Sequence, residues 1–133
     1  MLITRECDYA VRVIRALNQE NRLSVGEICE KENITAPFAY KILKKLQKAK
    51  IVRGFRGVHG GYTLRIPVSE LNLLIVYQAI DPDVFIIDCM APEYRCTRNE
   101  GNEICKVHAE LERIQKSLIQ GLTEKSLKQV FEQ

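Results

Sequence analysis

Apolar residues recur at helical spacing through the first half of the chain. Ile3, Cys7, Ala10, Ile14 and Leu17 follow one another at intervals of 4, 3, 4 and 3, the stripe of an amphipathic helix. Thr4 is placed to cap this helix, and the polar run from Asn18 to Arg22 ends it. Ser24-Val-Gly-Glu27 is a capping box, in which hydroxyl and carboxylate each satisfy a backbone N–H that a first helical turn leaves open. It opens a short second helix with Val25, Ile28 and Cys29 on one face and a stop at Asn33. Thr35 and the first-turn Pro37 start a third helix, whose core face is Ala39, Ile42, Leu43, Leu46 and Ala49. The opposite face carries Tyr40, Lys41, Lys44, Lys45 and Lys48.

Two helices joined by a tight turn, the second basic on its outer face, form a helix-turn-helix, a pattern whose second helix fits a major groove. Ile51-Val-Arg-Gly-Phe and Tyr62-Thr-Leu-Arg-Ile then read as strands around the glycine-rich tip from Arg56 to Gly61, a basic hairpin or wing. Ser69 is expected to cap a fourth helix through Ile80, stopped by Asp81-Pro82-Asp83. Val84-Phe-Ile-Ile87 is a short apolar segment of either type, and from Asp88 to Glu103 the chain is a polar loop with Pro92 and Gly101. Ile104, Val107, Leu111, Ile114 and Leu118, spaced 3, 4, 3 and 4, form the seam of a long helix that packs lengthwise on another. Gly121 and Thr123 are expected to break it before a last turn near Phe131.

The fold class is therefore mainly α with a small β-hairpin. Residues 1–80 form a winged helix-turn-helix domain, 81–103 a cysteine-containing sensor loop, and 104–133 a dimerisation helix with a C-terminal turn. The long helix overhangs so small a domain, and a second copy is its expected cover. A two-fold dimer sets two recognition helices one helical turn apart or a multiple of it, which predicts a palindromic operator.

Composition adds one core's worth of apolar residues, 46% of 133, and no apolar run of membrane-spanning length. The start Met-Leu-Ile-Thr-Arg-Glu has no signal-peptide character, so a cytoplasmic protein without membrane contact is expected. Charge changes the picture more. Met1 to Arg65 holds 13 Lys and Arg against 6 Asp and Glu, net +7, and Ile66 to Gln133 holds 7 against 11, net −4. Between Asn33 and Ser69, Lys41, Lys44, Lys45, Lys48, Lys50, Arg53, Arg56 and Arg65 stand without one acidic residue. That is the footprint of a polyanion site. It could also be an ordinary solvated face, but the helix-turn-helix and wing around it decide for double-stranded DNA. No nucleophile–base pair, phosphate loop or paired catalytic carboxylates appear, so neither an enzyme nor a small-molecule substrate is expected.

The five cysteines are an odd number, and a disulfide framework is not expected in that compartment. Cys7 and Cys29 lie on apolar helix faces and read as small buried hydrophobes. Cys89 and Cys96 lie in the polar loop, where packing does not explain them, and Cys105 opens the long helix. Their separations of 6 and 8 intervening residues do not fit short zinc knuckles. Three loop-borne thiolates can wrap a larger inorganic core, with His108, three residues after Cys105 on a helix, within reach as a fourth ligand. A metal or cluster, a thiol redox switch and incidental cysteines all remain open on these residues alone.

Asp8-Tyr9-Ala10, Ile34-Thr35, Arg56-Gly57, Gly60-Gly61-Tyr62 and Cys89, Cys96, Cys105-x-x-His108 together resemble the IscR/NsrR-type family of winged-helix regulators over essentially the whole chain. The resemblance implies a homodimeric transcription factor that senses iron–sulfur status, redox or nitric oxide through a 2Fe–2S or 4Fe–4S cluster. Cys89, Cys96 and Cys105 would be its ligands, with His108 as the fourth, or Asp8 lent by the other subunit. The spacing of 6 and 8 is longer than the 5 and 5 more familiar in this family. On the DNA side the resemblance implies base-edge contacts from Thr35, Pro37, Tyr40 and Lys41, and minor-groove contacts from Arg56 and His59. Lys44, Lys45 and Lys48 would meet phosphates, and Thr4 is a further candidate contact. The alternatives are a cluster-free thiol regulator, an adaptor that binds a partner enzyme through the long helix, and a partner-binding regulator of sulfur metabolism. The last belongs to a branch without these cysteines.

Overall fold

Three helices come first, each stopped by residues whose side chains or backbone preferences end it. The computed structural model describes residues 3–83, 85–99 and 105–133, with α1 at Arg5–Gln19, α2 at Val25–Glu32 and α3 at Ala36–Lys48. The capping box of α2 forms as its sequence dictates: Ser24 Oγ accepts from the Glu27 N–H at 3.2 Å, and Glu27 Oε1 accepts from the Ser24 N–H at 3.1 Å. Asn33 ends the helix in the left-handed region, φ 53°, and the Ile34 N–H returns to the Cys29 carbonyl at 3.2 Å. The chain thus reverses within a few residues, producing the turn between α2 and α3.

The α1 stripe buries Cys7, Ala10, Val13, Ile14, Ala16 and Leu17. Ile3, expected to lead it, is 44% exposed because it precedes the cap and helical spacing no longer carries it inward. On α3 the core face is Ala39, Ile42, Leu43 and Leu46. Ala49, expected beside them, is the exposed C-cap where the chain leaves the helix, followed by left-handed Lys50 at φ 60°.

Strands β1, Val52–Phe55, and β2, Gly61–Leu64, pair antiparallel with Val52 opposite Leu64 and Phe55 opposite Gly61. A further bridge, from Leu23, has no signal in the sequence pattern. Leu23 donates to the Tyr62 carbonyl at 3.1 Å and accepts from the Tyr62 N–H at 2.7 Å, tying the hairpin to the segment before α2.

Helix α4, Leu73–Ile80, is capped by Asn72 and not by Ser69: Asn72 Oδ1 accepts from the Ile75 N–H at 2.9 Å. Ser69 lies in a 3₁₀ turn, Val68–Glu70, and Leu71 is extended and 1% exposed. Drawing Leu71 into the core interrupts the helix that Ser69 would have begun. Asp81 ends α4 as expected. The segment that follows holds 3₁₀ turns at Asp88–Met90 and Thr97–Asn99, and Phe85 to Ile87 is neither helix nor strand. Val84 and the predicted loop and seam positions Gly101 and Ile104 lie outside the described residues.

Helix α5 covers Lys106–Glu124 and passes through both Gly121 and Thr123 without a break. Thr123 donates its hydroxyl to the Gln120 carbonyl at 2.9 Å, and one glycine among good helix formers costs only about 1 kcal/mol. The stop comes at Lys125, and a capping box of Ser126 with Gln129 opens α6, Leu127–Phe131. Helices α1 to α4 and the start of β1 enclose the core, which Leu122 of α5 and Leu127 of α6 complete. The Leu127 N–H also donates to the Leu71 carbonyl at 2.7 Å. The C-terminal segment therefore shares the core of residues 1–80.

Candidate nucleic-acid interface and cysteine cleft

The residues of the helix-turn-helix predicted to contact DNA divide into two sets. Thr35, Pro37, Tyr40, Lys41, Lys44 and Lys48 are exposed on the outer side of α3, with Tyr40 at 57%. Lys45, predicted to share that face, is only half-exposed and turns back onto the protein. Its ammonium donates to Glu6 Oε2 at 2.8 Å and to the Ile80 carbonyl at 3.2 Å. Lys41 reaches the other oxygen of the same carboxylate at 2.6 Å. Hydrogen bonds from Lys41 and then Lys45 hold the Glu6 carboxyl below its ordinary value of 4.5. Thr4, another predicted contact, is half-buried and donates to Cys7 Sγ at 3.5 Å, within the first turn of its own helix.

The hairpin tip is exposed at Arg56 and His59, and Val58 between them is 98% exposed. Its placement comes from Arg22, whose guanidinium lies 3.9 Å from the Phe55 ring centroid and donates to the His59 carbonyl at 2.6 Å. Arg53 stands near the same ring at 4.9 Å. Arg22 belongs to a polar run that only marked the end of α1, and nothing local announced its role. Phe38, 44% exposed beside the recognition face, packs edge-on against Tyr9 at 5.5 Å, a contact also fixed by tertiary structure alone.

The second candidate site lies in the segment after α4. Cys89, Cys96 and His108 line one cleft of about 510 Å³ together with Met90, Pro92 and Arg95. Cys105 is the N-cap of α5, one turn before His108. His108 Nδ1 is buried and has no hydrogen-bond partner among the described residues. Backbone bonds from Met90 to Ile87 and from Tyr94 to Ala91, 3.0 and 3.1 Å, fold the segment on itself. In that arrangement no three His, Cys, Asp or Glu side chains among the described residues converge on one metal position. The donor chemistry fits an iron–sulfur group, for soft thiolates with one imidazole are suited to it, and loading such a site couples to folding of the loop that bears them. Asp8, the alternative ligand, pairs with Arg12 on its own helix at 3.0 Å. Cys7 is buried and Cys29 half-buried, as packing predicts.

A family model described as "Rrf2: Iron-dependent Transcriptional regulator" matches residues 3–133. Protein aau3 of Rhizobium meliloti is 32% identical over 99 residues, 72% of this chain and 64% of the relative. The regulator IscR of Aliivibrio salmonicida is 31% identical over 96 residues, 70% of this chain and 57% of its own length. NsrR of Oceanobacillus iheyensis is 29% identical over 92 residues, 67% and 63%. The matched stretch thus spans less than two thirds of each of these curated relatives. Among solved structures, IscR from T. potens superposes with a TM-score of 0.76 at 18% identity, covering 99% of this chain and 87% of that one. CymR of B. subtilis, titled a global cysteine regulator, gives 0.72 at 15%, covering 98% and 95%. These likenesses establish the winged-helix fold.

Proposed function

The chain belongs to the Rrf2 family of transcriptional regulators, and from that membership we propose that it is a homodimeric DNA-binding regulator whose cysteine segment holds an iron–sulfur cluster. One observation carries the DNA reading: the exposed basic face of α3 lies in the same domain as an exposed, cationic hairpin tip that Arg22 holds in place. In the complex α3 occupies a major groove and the tip enters the neighbouring minor groove. Thr35, Pro37, Tyr40 and Lys41 face base edges, Lys44 and Lys48 meet phosphates, and Arg56 with His59 serves the minor groove. Lys45 and Thr4 are not assigned direct contacts, because the protein itself engages them.

Fluorescence anisotropy with a duplex selected from a random pool tests this. Arg56→Ala is expected to weaken binding to the selected duplex more than to random DNA, most where the flanks are A·T-rich. Lys44→Ala should weaken both alike and lower the slope of log K against log salt by about 0.9. Equal losses on both duplexes for Arg56→Ala overturn the groove assignment.

Dimerisation is assigned to α5, where Val107 is 67% and Ile114 42% exposed along the same seam as half-buried Leu111 and Leu118. The residues that would hold the cluster are Cys89, Cys96, Cys105 and His108. The supporting observation is the buried Nδ1 of His108, since a buried imidazole nitrogen without a partner is costly unless a ligand supplies the bond. When bound, the cluster would supply a centre that oxidation or nitric oxide can alter. The chain's own part is mechanical. Cys105 stands at the N-cap of α5, and the Ile86 N–H donates to Gln115 Oε1 at 3.0 Å, so the segment is attached to the helix at two levels. Rearrangement of the segment is felt by α5 and hence by the distance between two recognition helices, for which a coupling of about 1–3 kcal/mol suffices.

A further inference from the structure

We propose that Glu6 is a specificity-determining residue of the DNA interface, holding Lys41 and Lys45 in ion pairs so that α3 offers DNA less positive charge than its sequence carries. The inference rests on the DNA-binding reading. Each oxygen of the Glu6 carboxylate takes one ammonium, Lys41 at 2.6 Å and Lys45 at 2.8 Å. The two lysines lie one helical turn apart and would repel each other without an anion between them. Lys45 is further fixed by the Ile80 carbonyl at 3.2 Å, and its side chain keeps 35% of its exposure against 55% for Lys41. Lys41 is therefore the one DNA can still reach, in competition with Glu6. Lys44 and Lys48 make no ion pair with another described residue and stay fully available.

The consequence is for specificity more than for strength. Phosphate neutralisation supplies the sequence-independent part of DNA affinity, and base-edge contacts supply discrimination. An anion that neutralises two recognition-helix lysines removes part of the first term and leaves the base-edge contacts of Thr35, Pro37 and Tyr40. The trio carries net +1 where the lysines alone would carry +2. The acid comes from α1, 35 and 39 residues upstream of its partners, so the acid-free basic run in the sequence overstates the charge of the folded surface.

The test measures binding of a random-sequence duplex by the full chain, wild type and Glu6→Gln, across salt concentrations, with circular dichroism as a check of folding. Glu6→Gln keeps the size of the side chain, removes its charge and leaves one oxygen to accept a hydrogen bond. Its salt slope is expected to be steeper by about 0.9, so that lowering salt fourfold raises its affinity about three- to fourfold more than that of wild type. The preference for a selected over a random duplex should fall in the same variant. If Glu6→Gln lowers the folded fraction, Lys41→Gln in the wild-type background carries the test. A slope reduced by well under about 0.9 shows that Glu6 already engages Lys41, and a full reduction overturns the proposal. Parallel salt plots for wild type and Glu6→Gln also overturn it, while leaving DNA binding intact. A wild type that binds no duplex overturns the DNA reading and this inference with it.

Discussion

A Cβ at Gly61 would stand 2.7 Å from the Leu23 carbonyl oxygen, and φ there is +138°, so this position excludes other residues by contact and by backbone conformation together. Gly61→Ala should cost more than about 1 kcal/mol and release the Leu23–Tyr62 rung, read as a lower urea midpoint and faster exchange of the Tyr62 amide. Ser24→Ala removes one half of a capping box and should cost about 1 kcal/mol in the same assay. Arg15 and Glu32 form a two-pronged pair, Nε to Oε1 at 2.9 Å, around a carboxylate only 8% exposed. Arg15→Met should destabilise by about 1–3 kcal/mol, toward the low end because the Arg15 side chain keeps 48% of its exposure. Glu6 has its pKa depressed by Lys41 and Lys45, so its stabilising contribution is complete above the ordinary value of 4.5 and is lost as pH falls through the folded value. The stability gap between wild type and Glu6→Gln should accordingly close below pH 4.5, and a gap that persists there would assign it to packing.

Elements were legible in the sequence wherever a side chain captures its own neighbourhood. The Ser24 capping box, the Asn33 stop, the Pro37 start and the hairpin between Val52 and Leu64 all depend on residues a few positions apart. Boundaries failed where distant packing decides. Ser69 and Asn72 are both good caps, and the burial of Leu71 between them selects Asn72. Gly121 and Thr123 look like a break, but α5 continues until Ser126 offers a second capping box. The same element has two burdens. Its outer seam at Val107 and Ile114 is open, whereas Leu122, and Leu127 beyond it, complete the winged-helix core. If α5 forms the proposed dimer, Ile114→Glu should give a monomer by light scattering where the wild type is dimeric, with its unfolding midpoint nearly unchanged; an unchanged dimeric mass would place the contact elsewhere. Leu127→Ala, on the following helix, should cost about 2–5 kcal/mol of stability.

Over the whole molecule, the first half of the sequence is basic and the second half acidic. The cysteine pattern marked the segment after α4, and the fold brings Cys89, Cys96 and His108 to one cleft with Cys105 a turn away. The sequence did not show that His108 buries a nitrogen without a partner among the described residues, nor that Glu6 pairs with lysines of α3 and Arg22 with the hairpin tip, because each depends on how distant parts of the chain come together. The proposed regulation depends on the cysteine segment holding an inorganic group. The direct test is anaerobic purification of the wild type and Cys96→Ala, with an absorption spectrum and assays of iron and acid-labile sulfide. A brown wild type with near-stoichiometric sulfide, bleached in the variant, is the predicted result. A colourless, iron-free wild type even after anaerobic reconstitution would contradict the account and leave a thiol switch in its place.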